Sequence, residues 1–428
     1  MRACASSASR EGAFRLLENG AVRVEAVRAS VQEATLRRCS GVVFVPIDAT
    51  SLHLTDAKGV KGLGGVGTWD RGARGVHVMS ALVVSSDGRP LGIGAQRMWT
   101  RAERSRRNPR GKPSCGGENV HWLEVLEDCR TAFAHAAPSV TPWYQLDRGG
   151  DCWQVLAYAE KAGLLLTVRA VHDRRLDSRA EHLWRAVERA PVVATRRVEV
   201  SARAPRRVRR RINGRRNDVM MPAQPPRTAR VSIRAATVPV VLSMPGRTIT
   251  VTLNAVLVRE QRPRRDRVEW LLLTTHPIQT RADILEIVRG YTMRWRIEDF
   301  HRAWKSGVCH VEDTQLRSRD AIYKWATLLA SVATRAMRLT HQARATPDAP
   351  ATTELSKLEL EALIALRQPK NLGDRVPTLS EAVRWIAELG GYAGPWNGPP
   401  GQITVGRGLH DLLVAARAFE LRDRSDKS

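Results

Sequence analysis

Three carboxylates and one line of charged residues carry the chemistry this sequence offers. Asp48 ends the apolar run GVVFVPID (41–48), and Asp147 ends the short run WYQLD (143–147). Glu298 lies in YTMRWRIEDFHRAWK (291–305), a segment with helical spacing. Three carboxylates delivered from two strand ends and a helix can hold two divalent cations about 4 Å apart, as two-metal phosphoryl transfer requires. One cation activates a water or a 3′-hydroxyl, and the other stabilises the leaving oxygen. Hard oxygen ligands suit Mg2+, with Mn2+ able to substitute. Turns favour aspartate for their own reasons, so the two strand-end aspartates count only together with the helix.

At 100° per residue, Tyr291, Arg294, Glu298, Arg302 and Lys305 fall within an arc of about 80°. Met293, Ile297, Phe300 and Trp304 take the opposite side. That apolar stripe satisfies the need for a buried face. Two readings of the polar line stand side by side. One is a solvated face with i,i+4 pairs such as Glu298–Arg302. The other is a carboxylate flanked by cations and a phenol, presented to phosphates.

The elements that must position these residues follow from the apolar pattern. Residues 11–38 are helix-like with a break near Asn19-Gly20, and 41–48 reads as a buried strand. Two strands meet at Asp87-Gly88, a hairpin signal. A basic loop follows at 101–117, then a helix over 118–134, the strand ending at Asp147, a helix over 152–162 and a strand over 164–171. From 197 to 258 the texture is β-rich, interrupted by PRRVRRRINGRR (205–216), which reads equally as a solvated basic loop or as a grip on a phosphate backbone. VEWLLLTTHP (268–277) is a further buried strand, and beyond 320 the chain is largely helical.

The chain has 428 residues, enough for two or three domains. Its formal charge of +26 favours a polyanionic partner, most simply nucleic acid. No long apolar segment and no secretion signal is read, so a membrane partner is not expected. The six cysteines form no CxxC pair and no cluster with histidine, which argues against a zinc site or disulfide framework and fits a cytoplasmic location.

YTMRWRIEDFHRAWK resembles the Tyr-x2-Arg-x3-Glu-x6-Lys motif of the bacterial DDE transposases of the insertion-sequence-four family, the group of the transposon-five transposase. Tyr291, Arg294, Glu298 and Lys305 occupy its four fixed positions. IDATSL (47–52) is similar to that family's first-aspartate motif and LDRGGD (146–151) to its second. ITVTLNAVLV, EWLLLTTHP and AELGGYAG extend the likeness over roughly residues 10 to 425.

The resemblance implies an α/β fold: an RNase H-like mixed-sheet catalytic core with a β-rich insertion and a helical C-terminal region. It divides the chain into a remnant of an N-terminal helical DNA-binding region (1–40), the first part of the core (41–195), the insertion (196–260), the final strand and catalytic helix (261–320) and a helical dimerisation region (321–428). It implies cut-and-paste transposition through nicking, hairpin formation, hairpin opening and strand transfer by a homodimer in a synaptic complex on double-stranded DNA, both transposon ends and target. Asp48, Asp147 and Glu298 are the implied catalytic and metal residues, with two Mg2+ ions. Tyr291, Arg294, Arg302 and Lys305 are the implied phosphate contacts beside the scissile bond, and Arg169 matches a DNA-contacting arginine. Trp270 matches a tryptophan on which a flipped base stacks. From the residues alone it reads equally as a core aromatic.

Ala49 stands where the family often carries a hydroxyl residue, and Gly149 where it usually carries glutamate. The family also has some fifty further residues before EGAFRLL that read the transposon end, so the resemblance implies a shortened form. Besides an active transposase, two alternatives stay open. One is a shortened regulatory subunit that inhibits a full-length partner in mixed dimers; the other is a two-metal nuclease of another kind.

Overall fold

The computed structural model describes residues 6–425 except 68–72, 102–117, 178–180, 201, 203, 213–214, 263–266 and 371. The chain forms two compact units, one of residues 1–145 with 293–428 and one of residues 146–292. Elements are numbered along the chain.

The first unit begins with α1 (Ser7–Glu18) and α2 (Val24–Leu36). They are separated where Asn19-Gly20 breaks the helical pattern, and the Asn19 side chain accepts from the Ala21 amide at 2.9 Å. Strand β1 (Val42–His53) carries Val43, Phe44, Val45 and Ile47 with no exposed surface. It pairs antiparallel with β3 (Arg74–Ser85), Asp48 opposite Ser80. The short β2 (Gly64–Gly65) and β4 (Pro90–Trp99) take the other edge of β3. Gly88, at φ 90°, supplies the left-handed turn between β3 and β4 that the Asp-Gly pair announces. The helix α3 (Asn119–Ala136) precedes β5 (Thr141–Leu146), the neighbour of β1.

Helices cover this sheet. At Gly92 a Cβ would meet Thr35 Oγ1 of α2 at 2.2 Å, so only glycine permits α2 to approach β4 so closely. After residues 293–318 come α8 (Arg319–Ala345), α9 (Lys357–Arg367), α10 (Leu379–Leu389) and α11 (Gln402–Ser425). A buried thread ties α8 to the sheet: Thr327 donates to Gln96 Oε1 at 3.3 Å, and Gln96 Nε2 donates to Ser80 at 3.1 Å. Lys324 is 1% exposed, and its ammonium donates to the carbonyls of Leu17 and Asn19 at 3.0 and 2.9 Å. It thereby satisfies acceptors left over where α1 ends. Helices α9 and α10 open with capping boxes, Ser356 with Glu359 and Thr378 with Glu381. Leu363, Leu379, Ile386 and Leu412 close their common core.

The second unit holds α4 (Trp153–Lys161), β6 (Leu165–Arg169), α5 (Leu183–Arg189) and β7 (Val192–Val200). The long strands β10 (Arg227–Met244) and β11 (Arg247–Glu260) follow, then β12 (Glu269–Thr274) and α6 (Arg281–Thr292). Its sheet runs β6-β12-β11-β10-β7. The basic run at 205–216 departs from the loop expected of it. It forms an antiparallel pair of β8 (Arg206–Ile212) and β9 (Arg215–Met221). Asn213-Gly214 sits between the two, a hairpin signal that the density of arginine masks. The basic run at 101–117 lies almost wholly outside the described residues. The architecture is thus α/β as expected. No described helix is long and apolar enough to cross a membrane.

Candidate active site

The segment 291–305 is not one regular helix. α6 ends at Thr292, a 3-10 turn spans Met293–Trp295, α7 spans Arg296–Arg302 and a π turn spans Ala303–Gly307. A 3-10 turn winds tighter and a π turn wider than 100° per residue. The charged line drawn on a uniform wheel is therefore split. Ile297, Phe300 and Trp304 are fully buried as the pattern requires. Of the polar line, Tyr291 is also buried, 3% exposed. Within the second unit it meets the Trp270 ring edge-on, with centroids 5.5 Å apart. Trp270 itself is half-buried in β12, opposite Val258.

Arg294 turns inward to the middle of β1, which does not end at Asp48 as its apolar run suggested but continues, paired with β3, to His53. Its guanidinium lies 3.2 Å from Asp48 Oδ2 and 3.5 Å from Glu298 Oε1, so it spans the two carboxylates. The Arg294 and Asp48 side chains are 9% and 15% exposed, against 40% for Glu298. Such a buried pair is costly to break from one side, because the remaining charge is left desolvated. Asp48 Oδ1 also accepts the Ala49 amide at 2.7 Å, which fixes the carboxylate at the point where buried strand gives way to accessible residues.

Lys305 is likewise drawn to β1. Its ammonium donates to the Ser51 carbonyl at 2.7 Å and lies 3.5 Å from Glu312. Glu312 in turn accepts the His53 amide at 2.8 Å. Arg302 goes the other way: its side chain is 64% exposed and pairs with Asp299 at 3.4 Å. It borders a cavity of about 560 Å³ together with Arg296, His341 and Arg344.

Asp48 and Glu298, 250 residues apart, are joined by a residue the sequence reading passed over. Ligand atoms of Asp48, Glu298 and His301 all lie within 4.8 Å of one another. His301 is 7% exposed, and burial, with Lys305 and Arg294 nearby, pushes its imidazole down to about 4. It is neutral at neutral pH. The available signal was its place three residues after Glu298, on the same helical face.

Asp147 belongs to the other unit. It follows β5, half-buried, and its Oδ1 accepts the Gly149 amide at 2.7 Å. The other aspartate of LDRGGD has a different fate. Asp151 is buried, accepts the amides of Val171 and His172 at 2.7 and 3.1 Å, and pairs with Arg174 at 2.5 Å. Its oxygens are committed to holding the loop after β6, so Asp147 is the member of the pair accessible for chemistry. Arg169, at the end of β6, donates to the Glu269 carbonyl at 2.8 Å.

Residues 155–334 match the family described as a transposase DDE domain. That stretch includes Arg169, Trp270 and the whole of 291–305, but neither Asp48 nor Asp147. The match supports a DDE transposase. Among solved structures, a piggyBac transposase synaptic complex with hairpin DNA aligns at 7% identity and a TM-score of 0.32. The alignment covers 76% of this chain and 55% of that one, so this chain spans about half the length of that neighbour.

The donor set fits a divalent cation. Two carboxylates from separate elements and a neutral imidazole converge, and the Arg294 guanidinium lies between the carboxylates.

Proposed function

We propose that this chain is a cut-and-paste DNA transposase of the insertion-sequence-four type, similar to the transposase of transposon five. Asp48, Asp147 and Glu298 form its acidic triad on an RNase H-like core. The observation that carries the reading is the convergence of Asp48, from the point of β1 where its buried run ends, with Glu298, from the helix whose motif fits that family. Bound Mg2+ or Mn2+ would supply an activated water or 3′-hydroxyl and charge neutralisation at the leaving oxygen. Asp48 and Glu298 hold their share of that charge; Asp147 is the third acidic residue by its motif and its accessibility.

Arg294 balances the two carboxylates; with divalent cations held there, it would be free to turn to the phosphate beside the scissile bond. Arg169, Arg302, Lys305 and Tyr291 serve the same backbone. Trp270 offers its face to a base displaced during hairpin formation, where stacking is worth about 1–3 kcal/mol. The helices beyond 320 provide the homodimer contact of a synaptic complex, and the partner is double-stranded DNA.

The test is strand cleavage of duplexes carrying the inverted repeats that flank the coding sequence. Wild type nicks and then forms hairpins in Mg2+, and chelation stops both steps. Asp48→Asn, Asp147→Asn and Glu298→Gln each remove both steps while the circular dichroism spectrum is kept. Trp270→Ala nicks normally but forms few hairpins, and an abasic residue at the displaced position restores it. Cleavage at wild-type rate by any one of the acidic variants removes that residue from the triad.

A further inference from the structure

Glu298 and His301 stand one turn apart on α7 and both approach Asp48 of β1, yet only the carboxylate has a place in the proposed function. We infer that His301 supplies an imidazole nitrogen to the cation held by Asp48 and Glu298, which makes this position select Mn2+ over Mg2+. The inference rests on the metal-dependent reading above and deepens it.

Three observations carry it. A ring nitrogen of His301 and a carboxylate oxygen of each partner all lie within 4.8 Å of one another, close enough for one ion to touch all three after small side-chain movements. His301 is 7% exposed, so its position is set by packing rather than by solvent. Its Nε2 is buried without a hydrogen-bond partner. An unsatisfied buried nitrogen costs about 1–3 kcal/mol. Such a cost is tolerated where a ligand later satisfies the group.

The chemistry then sets the preference. Mg2+ takes oxygen ligands in a strict octahedron and keeps several waters, whereas imidazole suits later and softer divalent ions. A position made of two carboxylates and an imidazole is thus better matched to Mn2+ than one made of carboxylates alone. Arg294 lies within 3.5 Å of both carboxylates, so cation binding must displace it from at least one. The fold therefore gathers the three ligands around a guanidinium.

The test uses this 428-residue chain and Mn2+ itself. Pulsed electron paramagnetic resonance of Mn2+ bound to wild type is expected to show nitrogen modulation. Uniform 15N-histidine labelling should convert that signal to the 15N pattern without altering a single residue. His301→Gln should lose it. The same variant should bind Mn2+ about tenfold more weakly and Mg2+ nearly unchanged, since loss of a ligand or its support typically costs 10- to 100-fold. Mn2+ that binds without nitrogen coupling, or with coupling that survives in His301→Gln, overturns the inference and leaves the carboxylate site standing. Mn2+ that does not bind wild type at all, at concentrations where Asp48→Asn also fails to bind, overturns the metal-dependent reading itself. Thermal unfolding of His301→Gln within a few degrees of wild type in chelator shows that the lost signal is not a lost fold.

Discussion

Arg294 and Arg302 are eight residues apart in one segment, carry the same group, and fall on the same line of the helical wheel. The fold treats them oppositely. Arg294 is 9% exposed and set between two carboxylates; Arg302 is 64% exposed and loosely paired with Asp299. The 3-10 turn at Met293–Trp295 rotates the first toward β1, and α7 carries the second out to solvent. Desolvation, not residue type, separates a charge that organises a site from one that is available to a long-range partner.

The largest expected effect is at the buried end. Asp48→Ala should abolish cleavage and, in chelator, also lower stability by about 3 kcal/mol, because the buried Arg294 loses the less exposed of its two carboxylates. Glu298→Ala should abolish cleavage equally, yet lower stability by no more than about 1 kcal/mol, the scale of a pair with one solvated partner. Urea denaturation in chelator, set beside the nicking assay, separates the two. Equal stability losses would show that Arg294 does not depend on Asp48.

Next in size is Lys305. Lys305→Met removes a charged donor to the Ser51 carbonyl and the contact to Glu312, and should cost about 1.5–3 kcal/mol, the scale of a hydrogen bond made by a charged group. If Lys305 serves the phosphate as well, the variant loses cleavage beyond its loss of fold. The check is cleavage rate at a temperature where both proteins are fully folded.

Much of this site was legible in the chain, and the illegible part has a common cause. Asp48 and Asp147 could be singled out because an apolar run that closes on a carboxylate is a local pattern, although β1 itself continues to His53. The break at Asn19-Gly20 and the turn at Asp87-Gly88 are local too. The rotation of Arg294 and the burial of Tyr291 were not legible. The first follows from a 3-10 turn that a uniform wheel cannot register, and the second from packing against Trp270 on β12, a contact between residues distant in sequence. His301 was hidden for a different reason. A histidine on a charged helix carries no sign of its burial until Asp48 arrives from 250 residues away. The hairpin of β8 and β9 was overlooked because charge was weighed above the Asn213-Gly214 signal.

The smallest expected effect lies at the exposed end. Arg302→Ala breaks only a 3.4 Å surface contact, and such pairs contribute about 0–1 kcal/mol, so the unfolding midpoint should stay within experimental error of wild type. Its influence should appear only with DNA. If Arg302 meets a phosphate, its removal weakens binding to every duplex alike and lowers the slope of log K against log salt by about 1. Arg294→Ala gives the reverse pattern: a large loss of stability, and a salt slope that changes only if the guanidinium leaves Asp48 for the DNA. A salt titration on two unrelated duplexes decides between them. An unchanged slope in Arg302→Ala would assign this arginine to the solvated face, and would leave Arg296 and Arg344, which border the same cavity, as the next basic residues to test.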